Sequence, residues 1–256
     1  MNFNRRDFLW LSGAAVTSAA IAGASVEPTS RPRLILFDAF PIFDPRPVKA
    51  VVERHAPDSA NALDELWRSR IFEHQWLRAL SGAYADFETC IAEALDFAAA
   101  TLGVALSPSA KRDMVDAFSS LKTWDDVGPG LAALAATGAR LGFLSNMSPR
   151  MLRSNLRAND LAERFDVVLS TDSVRTFKPD PRAYELGCTA SKLAKRDILF
   201  VAFAGWDVAG AKWFGFPTYW VNRARARPEF PVRADGEGTG LHDLVGFVQE
   251  RVRAAA

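Results

Sequence analysis

Residues 34–44 read LILFDAFPIFD, and the first half of this stretch decides the fold class. Leu34–Phe37 contain no polar side chain, which predicts a short strand buried on both faces, and Asp38 follows at its end. Similar apolar runs occur downstream, at residues 141–144, 167–169, 198–203 and 218–221. Segments with helical periodicity lie between or after these runs, at residues 150–158, 181–193, 208–214 and 241–253. The alternation predicts an α/β fold with a doubly wound, Rossmann-like parallel sheet.

The long interval between the first two predicted strands has a different pattern. Residues 46–122 show helical periodicity throughout and no strand-like apolar run. We therefore predict a helical cap subdomain over residues 46–122, inserted into a core domain that residues 31–45 and 123–256 form together. The glycine-rich segment 236–240 is predicted to be a surface connection.

The N-terminus has the features of an export signal. Arg5 and Arg6 precede a mildly apolar stretch, residues 8–24, which is rich in Ala, Ser and Gly and contains small-x-small sites at 20–22 and 22–24. This pattern resembles a twin-arginine signal peptide over residues 1–24, which implies export in the folded state to the periplasm. An uncleaved N-terminal anchor is the alternative. The stretch is short and polar for a spanning helix, and no second run could span a membrane, so we expect no stable membrane insertion after cleavage.

Composition excludes several classes of function. The 31 Lys and Arg residues balance 30 Asp and Glu residues, so the chain has no basic field that would attract nucleic acid. Two cysteines cannot build a disulfide scaffold or an all-cysteine zinc site. Cys90 and Cys188 fall in different predicted subdomains, and we expect two separate buried thiols.

Polar side chains follow the predicted strands at the points where the strands end. Asp38 follows the first run, Ser145 and Asn146 the second, Lys178 lies in the connection after the third, and Asp207 comes after the fourth. In an open parallel sheet, ligands bind outside the carboxyl ends of the strands. A single Asp after a strand is also a common helix N-cap, but polar groups at four strand ends predict one shared site.

Other chemistries have less support in the sequence. No G-x-S-x-G motif occurs, and none of the three histidines, His55, His74 and His242, follows a predicted strand end, which argues against a serine hydrolase. No G-x-x-x-x-G-K-[ST] motif occurs either, which argues against a P-loop nucleotide site.

The ordered motifs resemble the haloacid dehalogenase superfamily. They are LILFDAFPIFD at residues 34–44, LSNMSP at 144–149, FKPD at 177–180, YEL at 184–186 and WDVAGA at 206–211. Two further motifs, WRSRIFEHQWL at 67–77 and FGFPT at 214–218, resemble the L-2-haloacid dehalogenase subgroup in particular. The likeness covers about residues 33 to 225 and implies hydrolysis of short (S)-2-haloalkanoic acids to (R)-2-hydroxy acids, with a small 2-haloacid as the partner molecule.

The superfamily consists mostly of magnesium phosphatases, and two positions argue against that activity here. Phe40 stands where the phosphatases have a second Asp as general acid and base, and Phe203 stands where they have an acidic metal ligand. The dehalogenase subgroup carries an aromatic residue at the Phe40 position and uses no metal. We therefore expect no metal and no cofactor, and a phosphatase remains the weaker alternative.

The resemblance assigns roles to the candidate residues. Asp38 would be the nucleophile that displaces halide and forms an aspartyl ester, and Lys178 would hold it ionised and oriented. Asp207 would orient or activate the water that opens the ester. The remaining candidates would bind substrate: Ser145 would hold its carboxylate, Asn146 and Tyr184 would support Lys178 and the anion positions, and Phe40, Phe72 and Trp206 would line an apolar pocket.

Arg68 is the candidate for stabilising the departing halide, because its guanidinium is always charged and weakly hydrated. The helix predicted around it has two faces. Leu63, Trp67 and Leu77 fall on one face, and Arg68, Phe72 and Trp76 fall on the other. A solvated arginine beside buried rings is the alternative reading of Arg68.

The chain departs from the subgroup pattern near the reaction centre. Pro41 and Ile42 stand where the family has a glycine and a hydroxyl residue, and Ala202 and Ala204 replace the Ser and Asn that surround its hydrolytic water. Three alternatives follow: a slow dehalogenase, a dehalogenase adapted to another leaving group, or an exported relative that has lost turnover and binds a small acid. A homodimer is common among such relatives.

Overall fold

The computed structural model describes residues 31–255. Its main element is a six-stranded parallel sheet with the order β5-β4-β1-β6-β7-β8. The strands are β1 (Leu34–Phe37), β4 (Arg140–Ser145), β5 (Val167–Ser170), β6 (Ile198–Ala202), β7 (Thr218–Val221) and β8 (Gly236–Gly238). The five strands predicted from apolar runs are all present, and the predicted parallel α/β fold is confirmed. The predicted signal peptide, residues 1–24, lies outside the described residues.

The first strand lies at the centre of the sheet. Leu34 pairs with Arg140 of β4 on one side and with Ile198 of β6 on the other, and the pairing continues in register to Phe37. Because side chains alternate along a strand, Ile35 and Phe37 enter one apolar cluster, and Leu34 and Leu36 enter a second cluster on the opposite face. Both faces of β1 are therefore buried, which explains its uninterrupted apolar sequence.

Helices cover the two faces of the sheet. The helices α5 (Val127–Ala135), α6 (Pro149–Ala158) and α9 (Leu241–Ala254) contribute side chains to the cluster that contains Ile35 and Phe37. The helices α7 (Pro181–Ser191) and α8 (Gly205–Phe214) contribute to the other cluster. The sheet is thus doubly wound, as predicted, and the helices predicted near residues 150, 181, 208 and 241 are all present.

The segment predicted to be a helical insertion contains α1 (Val48–His55), α2 (Ala60–Ser81), α3 (Phe87–Leu102) and α4 (Pro108–Asp116). Two short strands, β2 (Phe43–Asp44) and β3 (Lys122–Thr123), pair antiparallel where the chain leaves and re-enters the core. We call residues 46–122 the cap segment; its status as a separate domain stays a prediction. No helix within residues 31–255 is long and apolar enough to cross a membrane.

Two expectations from the sequence are wrong. Gly236–Gly238, expected in a surface connection, form β8 and pair with β7. The glycines suit this strand because a Cβ at Gly236 would overlap the rings of Phe247 and Tyr219, so main-chain pairing outweighs the low strand propensity of glycine. Leu77, expected on the same face of α2 as Leu63 and Trp67, is 67% exposed, whereas those two residues are fully buried. It lies ten residues after Trp67, about 2.8 turns, and therefore points in a different direction.

Candidate active site

Asp38 lies at the carboxyl end of the central strand. Its backbone N–H continues the β1–β6 pairing by donating to the Val201 carbonyl at 2.9 Å, which fixes the main chain at this position. The side chain is 13% exposed and reaches the cavity described below. The backbone N–H of Phe40 donates to Asp38 Oδ2 at 3.4 Å, and Asp38 Oδ1 accepts from Lys178.

Lys178 is a completely buried cation between two carboxylates. Its Nζ donates to Asp38 Oδ1 at 2.9 Å and to Asp207 Oδ2 at 2.7 Å. Burial alone would lower the pKa of Lys178, but the charges of Asp207 and Asp38 outweigh burial and raise that pKa above its ordinary value. The lysine therefore stays protonated and holds the Asp38 carboxylate in one orientation.

Asp207 lies behind Lys178, and its exposed fraction is 1%. Its Oδ1 accepts from the Tyr184 hydroxyl at 2.7 Å, while Oδ2 accepts from Lys178. Burial raises the pKa of Asp207 to about 6; the charge of Lys178 opposes this rise and the charge of Asp38 adds to it. Burial and the neighbouring Asp207 likewise raise the pKa of Tyr184 well above its ordinary value.

A cavity of about 160 Å³ opens beside Asp38. From α2 of the cap segment, Arg68 and Phe72 enter its wall, and from the core Ser145, Asn146 and Trp206 do so. Phe72 and Trp206 contact each other in the cavity wall, with ring centroids 5.5 Å apart. The site is therefore built between the cap segment and the carboxyl ends of β1, β4 and β6.

Arg68 is held in place by hydrogen bonds to a side chain of its own helix and to the main chain. Its Nε donates to Asp64 Oδ1 at 2.7 Å, one turn earlier in α2, and one terminal nitrogen donates to the Pro45 carbonyl at 3.1 Å. The guanidinium is half-buried and remains part of the cavity wall. An arginine with several fixed hydrogen bonds beside a carboxylate nucleophile is suited to hold an anion next to Asp38.

Ser145 is the last residue of β4 and Asn146 follows it, and both line the cavity. Ser145 Oγ accepts from the Met147 N–H at 3.1 Å, which orients the hydroxyl at the turn. Asn146 Oδ1 accepts from the backbone N–H of Lys178 at 2.9 Å. The amide of Asn146 therefore joins the strand end to the loop that carries the buried lysine.

Eight of the ten predicted site residues line the cavity or contact Asp38. The other two, Asp207 and Tyr184, lie deeper, behind Lys178. Neither Asp207 nor Tyr184 lines the cavity. Both carboxylate oxygens of Asp207 accept hydrogen bonds, one from Lys178 and one from Tyr184. The expected roles of Asp207 toward the hydrolytic water and of Tyr184 toward the substrate anions stay predictions. Their contacts fit a role in fixing Lys178.

Sequence reasoning missed several residues of the cavity wall: Pro45, Ile71, Phe87, Phe118 and Met147. Phe87 and Phe118 are nearly fully buried, and nothing in the sequence distinguishes them from ordinary core residues. Gln75, which does not line the cavity, was also not predicted as a site residue, although its spacing along α2 points to it. It follows Leu63, Trp67 and Ile71 at four-residue intervals, and a polar residue on such a buried stripe predicts a buried hydrogen bond.

Phe40 and Phe203, the two residues that distinguish this chain from phosphatases, both face the cavity, with ring centroids 5.9 Å apart. Ala204 also lines the cavity and is the N-cap of α8, where it makes no side-chain capping bond. Within residues 31–255, no group of three or more His, Cys, Asp or Glu side chains is arranged to hold a metal ion.

Comparison with known proteins identifies the family. The family model for haloacid dehalogenase-like hydrolases matches residues 32–215. The chain is 38% identical over 202 residues to (S)-2-haloacid dehalogenase 1 of Pseudomonas sp. (strain CBS-3), covering 77% of this chain and 88% of that protein. It is 37% identical over 222 residues to (S)-2-haloacid dehalogenase of Xanthobacter autotrophicus, covering 86% of each.

Solved structures of L-2-haloacid dehalogenases have the same fold as this chain. The L-2-haloacid dehalogenase RSc1362 superposes with a TM-score of 0.83 at 36% identity, covering 86% of this chain and all of that one. The enzyme of Xanthobacter autotrophicus with chloropropionic acid covalently bound gives a TM-score of 0.77 at 32% identity, covering 85% and 98%. The chain belongs to the haloacid dehalogenase-like hydrolases and, within them, to the L-2-haloacid dehalogenase subgroup, which confirms the resemblance seen in its motifs.

Proposed function

We propose that this chain hydrolyses short (S)-2-haloalkanoic acids to (R)-2-hydroxy acids through an ester on Asp38. One observation carries the proposal: the Asp38 carboxylate, held by Lys178 at 2.9 Å, faces a small apolar cavity that also contains the Arg68 guanidinium. The relative with covalently bound chloropropionic acid supports the same assignment.

The first half of the reaction is a displacement at C2 of the substrate. An oxygen of Asp38 forms a bond to C2 while the carbon–halogen bond breaks, and the halide leaves with the bonding electron pair. Aromatic rings exclude water from the cavity, which leaves the carboxylate weakly solvated and reactive. Arg68 would stabilise the departing halide, and Ser145 with the neighbouring backbone N–H groups would hold the substrate carboxylate.

The second half is hydrolysis of the ester. Water attacks the carbonyl carbon of the Asp38 ester, the acyl bond breaks, and the 2-hydroxy acid leaves with its C2 oxygen, so one inversion at C2 is retained. One proton goes to solvent for each halide released. Because Asp207 is separated from the cavity by Lys178, its influence on this step would act through the position and charge of that lysine.

Counting halide released per protein molecule tests the proposal. The chain from residue 25 to 256 is incubated with (S)-2-chloropropionate without added metal, and chloride and the configuration of lactate are measured. Release far above one equivalent with (R)-lactate as product is the expected result. Release that stops at one equivalent would show that ester hydrolysis fails, and no release would favour the noncatalytic binding protein.

A phosphatase is the weaker candidate. Phe40 and Phe203 stand at the two positions where phosphatases have acidic residues. Among the described residues, Asp38 is the one acidic side chain in the cavity wall. Hydrolysis of p-nitrophenyl phosphate with Mg²⁺, at a rate exceeding that of dehalogenation, would reverse this ranking.

Export by the twin-arginine route is also a proposal, and it rests on residues 1–24 of the sequence. A cleaved signal would release the protein into the periplasm. A homodimer is a further proposal, which rests on the resemblance to the dehalogenase subgroup, and sedimentation of the chain from residue 25 to 256 would test it.

A further inference from the structure

Gln75 is a buried polar side chain that the reaction scheme does not use. It lies in α2, two turns beyond Arg68, and none of its surface is exposed. Its Oε1 accepts a 2.8 Å hydrogen bond from Asn146 Nδ2, and its Nε2 donates to the Ile71 carbonyl of its own helix at 3.2 Å. A carbonyl oxygen can only accept a hydrogen bond, so the NH2 group of Gln75 faces the Ile71 carbonyl and the oxygen of Gln75 faces Asn146.

Asn146 is held from both ends. Its Oδ1 accepts from the Lys178 N–H at 2.9 Å and from the Thr171 hydroxyl at 3.4 Å, and its Nδ2 donates to Gln75. If only Oδ1 were hydrogen-bonded, the amide group of Asn146 could still rotate about that contact. The second N–H of Nδ2 has no partner within residues 31–255, and Asn146 lines the cavity.

We propose that Gln75 is a positioning residue: it fixes the nitrogen end of Asn146 so that one amide N–H is kept for an anion in the cavity. The anion would be the substrate carboxylate or the departing halide, so the proposal rests on the function proposed above. The same hydrogen bond joins α2, which carries Arg68, to the end of β4. Gln75 thus sets two anion-binding groups relative to each other from outside the cavity.

A pair of matched variants tests this role. Gln75→Met keeps the length of the side chain and removes the acceptor. Tyr84→Phe is the control, because it removes another hydrogen bond between the cap segment and the core, from Tyr84 to Asp172 Oδ1 at 2.6 Å, without touching Asn146. Both variants should fold and melt a few degrees below the unmodified chain.

The decisive readout is anion binding, measured by calorimetric titration with propionate and with bromide. We expect Gln75→Met to weaken binding of at least one anion about tenfold, and to raise KM for (S)-2-chloropropionate more than it lowers kcat. Tyr84→Phe should stay within about twofold of the unmodified chain.

Several results would overturn the proposal. They are equal anion affinity in Gln75→Met and Tyr84→Phe, a loss in both variants that follows only their melting temperatures, or no binding of either anion by the unmodified chain. If Gln75→Met does not fold, Gln75→Leu takes its place. Absence of halide release from the unmodified chain, with anion binding still dependent on Gln75, would contradict the proposed function and leave this inference standing.

Discussion

At the scale of single residues, the site separates the reacting group from the groups that control its charge. Asp38 alone of the two carboxylates reaches the cavity, while Lys178, Asp207 and Tyr184 form a buried chain of hydrogen bonds behind it. A buried cation with two anionic partners leaves this group of residues with one negative charge. That charge is needed on Asp38, where displacement takes place.

We expect Asp38→Asn to lower halide release at least a thousandfold, because a neutral amide is a poor nucleophile and cannot form the ester. Chloride release and the mass of the protein after incubation with substrate are the measurements. Circular dichroism should show an unchanged fold. Turnover above a trace, or an adduct on another residue, would remove Asp38 from the nucleophile's role.

The buried Asp207 should make stability depend on pH. Its pKa is raised from 3.8 to about 6 in the folded chain, so between these values the folded state keeps a proton that the unfolded state has lost. The free energy of unfolding contributed by Asp207 therefore falls as pH rises from about 4 to 6.

Denaturant unfolding of the unmodified chain and of Asp207→Asn at pH 4, 5, 6 and 7 measures this effect. Titrating groups that do not contact this cluster cancel in the difference between the two proteins. The stability of the unmodified chain relative to the variant should drop across this range, and a difference that rises with pH would show that Lys178 lowers the pKa of Asp207 below its ordinary value.

At the scale of elements, α8 must approach the site closely. A Cβ on Gly210 would overlap the Tyr184 hydroxyl and lie 2.6 Å from Pro179 Cβ, so only glycine allows this packing. We expect Gly210→Ala to cost about 1–3 kcal/mol and to reduce activity by displacing Tyr184. Gly246→Ala in α9, where a Cβ meets nothing within 4 Å, is the control and should gain about 0.5–1 kcal/mol. Thermal melts and halide assays compare the two.

The N-terminus of α8 lacks a side-chain cap at Ala204. Ala204→Ser should stabilise the helix by about 1 kcal/mol, because the hydroxyl would accept from a free backbone N–H of the first turn. Ala204→Gly, an accepted N-cap residue that adds no side-chain acceptor, should gain a few tenths of a kcal/mol less than Ala204→Ser. Equal melting temperatures for the two variants would mean that the serine finds no such bond.

The sequence was sufficient for the elements that have strong periodicity. The five apolar runs and the helices between them were predictable because burial on both faces leaves a continuous apolar signal, as in Leu34–Phe37. Gly236–Gly238 was not predictable, since its strand depends on an edge of β7 and not on its own residues. Leu77 lies ten residues after Trp67, and in a helix with about 3.6 residues per turn this spacing does not return to the same face.

The candidate site was predictable only in part, and for a physical reason. Residues at strand ends, such as Asp38 and Ser145, share a location that the parallel sheet determines. The depth of a side chain behind those ends is set by packing, so the sequence could not place Asp207 behind Lys178 or assign Phe118 to the cavity wall.

At the scale of the whole molecule, the paired arginines near the N-terminus predict export of the chain. Replacing Arg5 and Arg6 with lysine should retain the protein in the cytoplasm, because the paired arginines are the feature that identifies the twin-arginine route. Cell fractionation with a halide assay or an antibody measures the distribution. The chain from residue 25 to 256 serves as the retained control, and periplasmic protein in the double variant would contradict the proposed route.

The position of β1 also has a consequence for the order of folding. This strand is made first, yet its two neighbours in the sheet come from residues 140–143 and 198–201. During synthesis on the ribosome, the apolar residues 34–37 stay unpaired while the cap segment and both partner strands are made. The long loops between β1 and these partner strands also close slowly. The nucleophile is thus placed only when most of the chain has emerged, so truncated products should lack activity and be prone to aggregate.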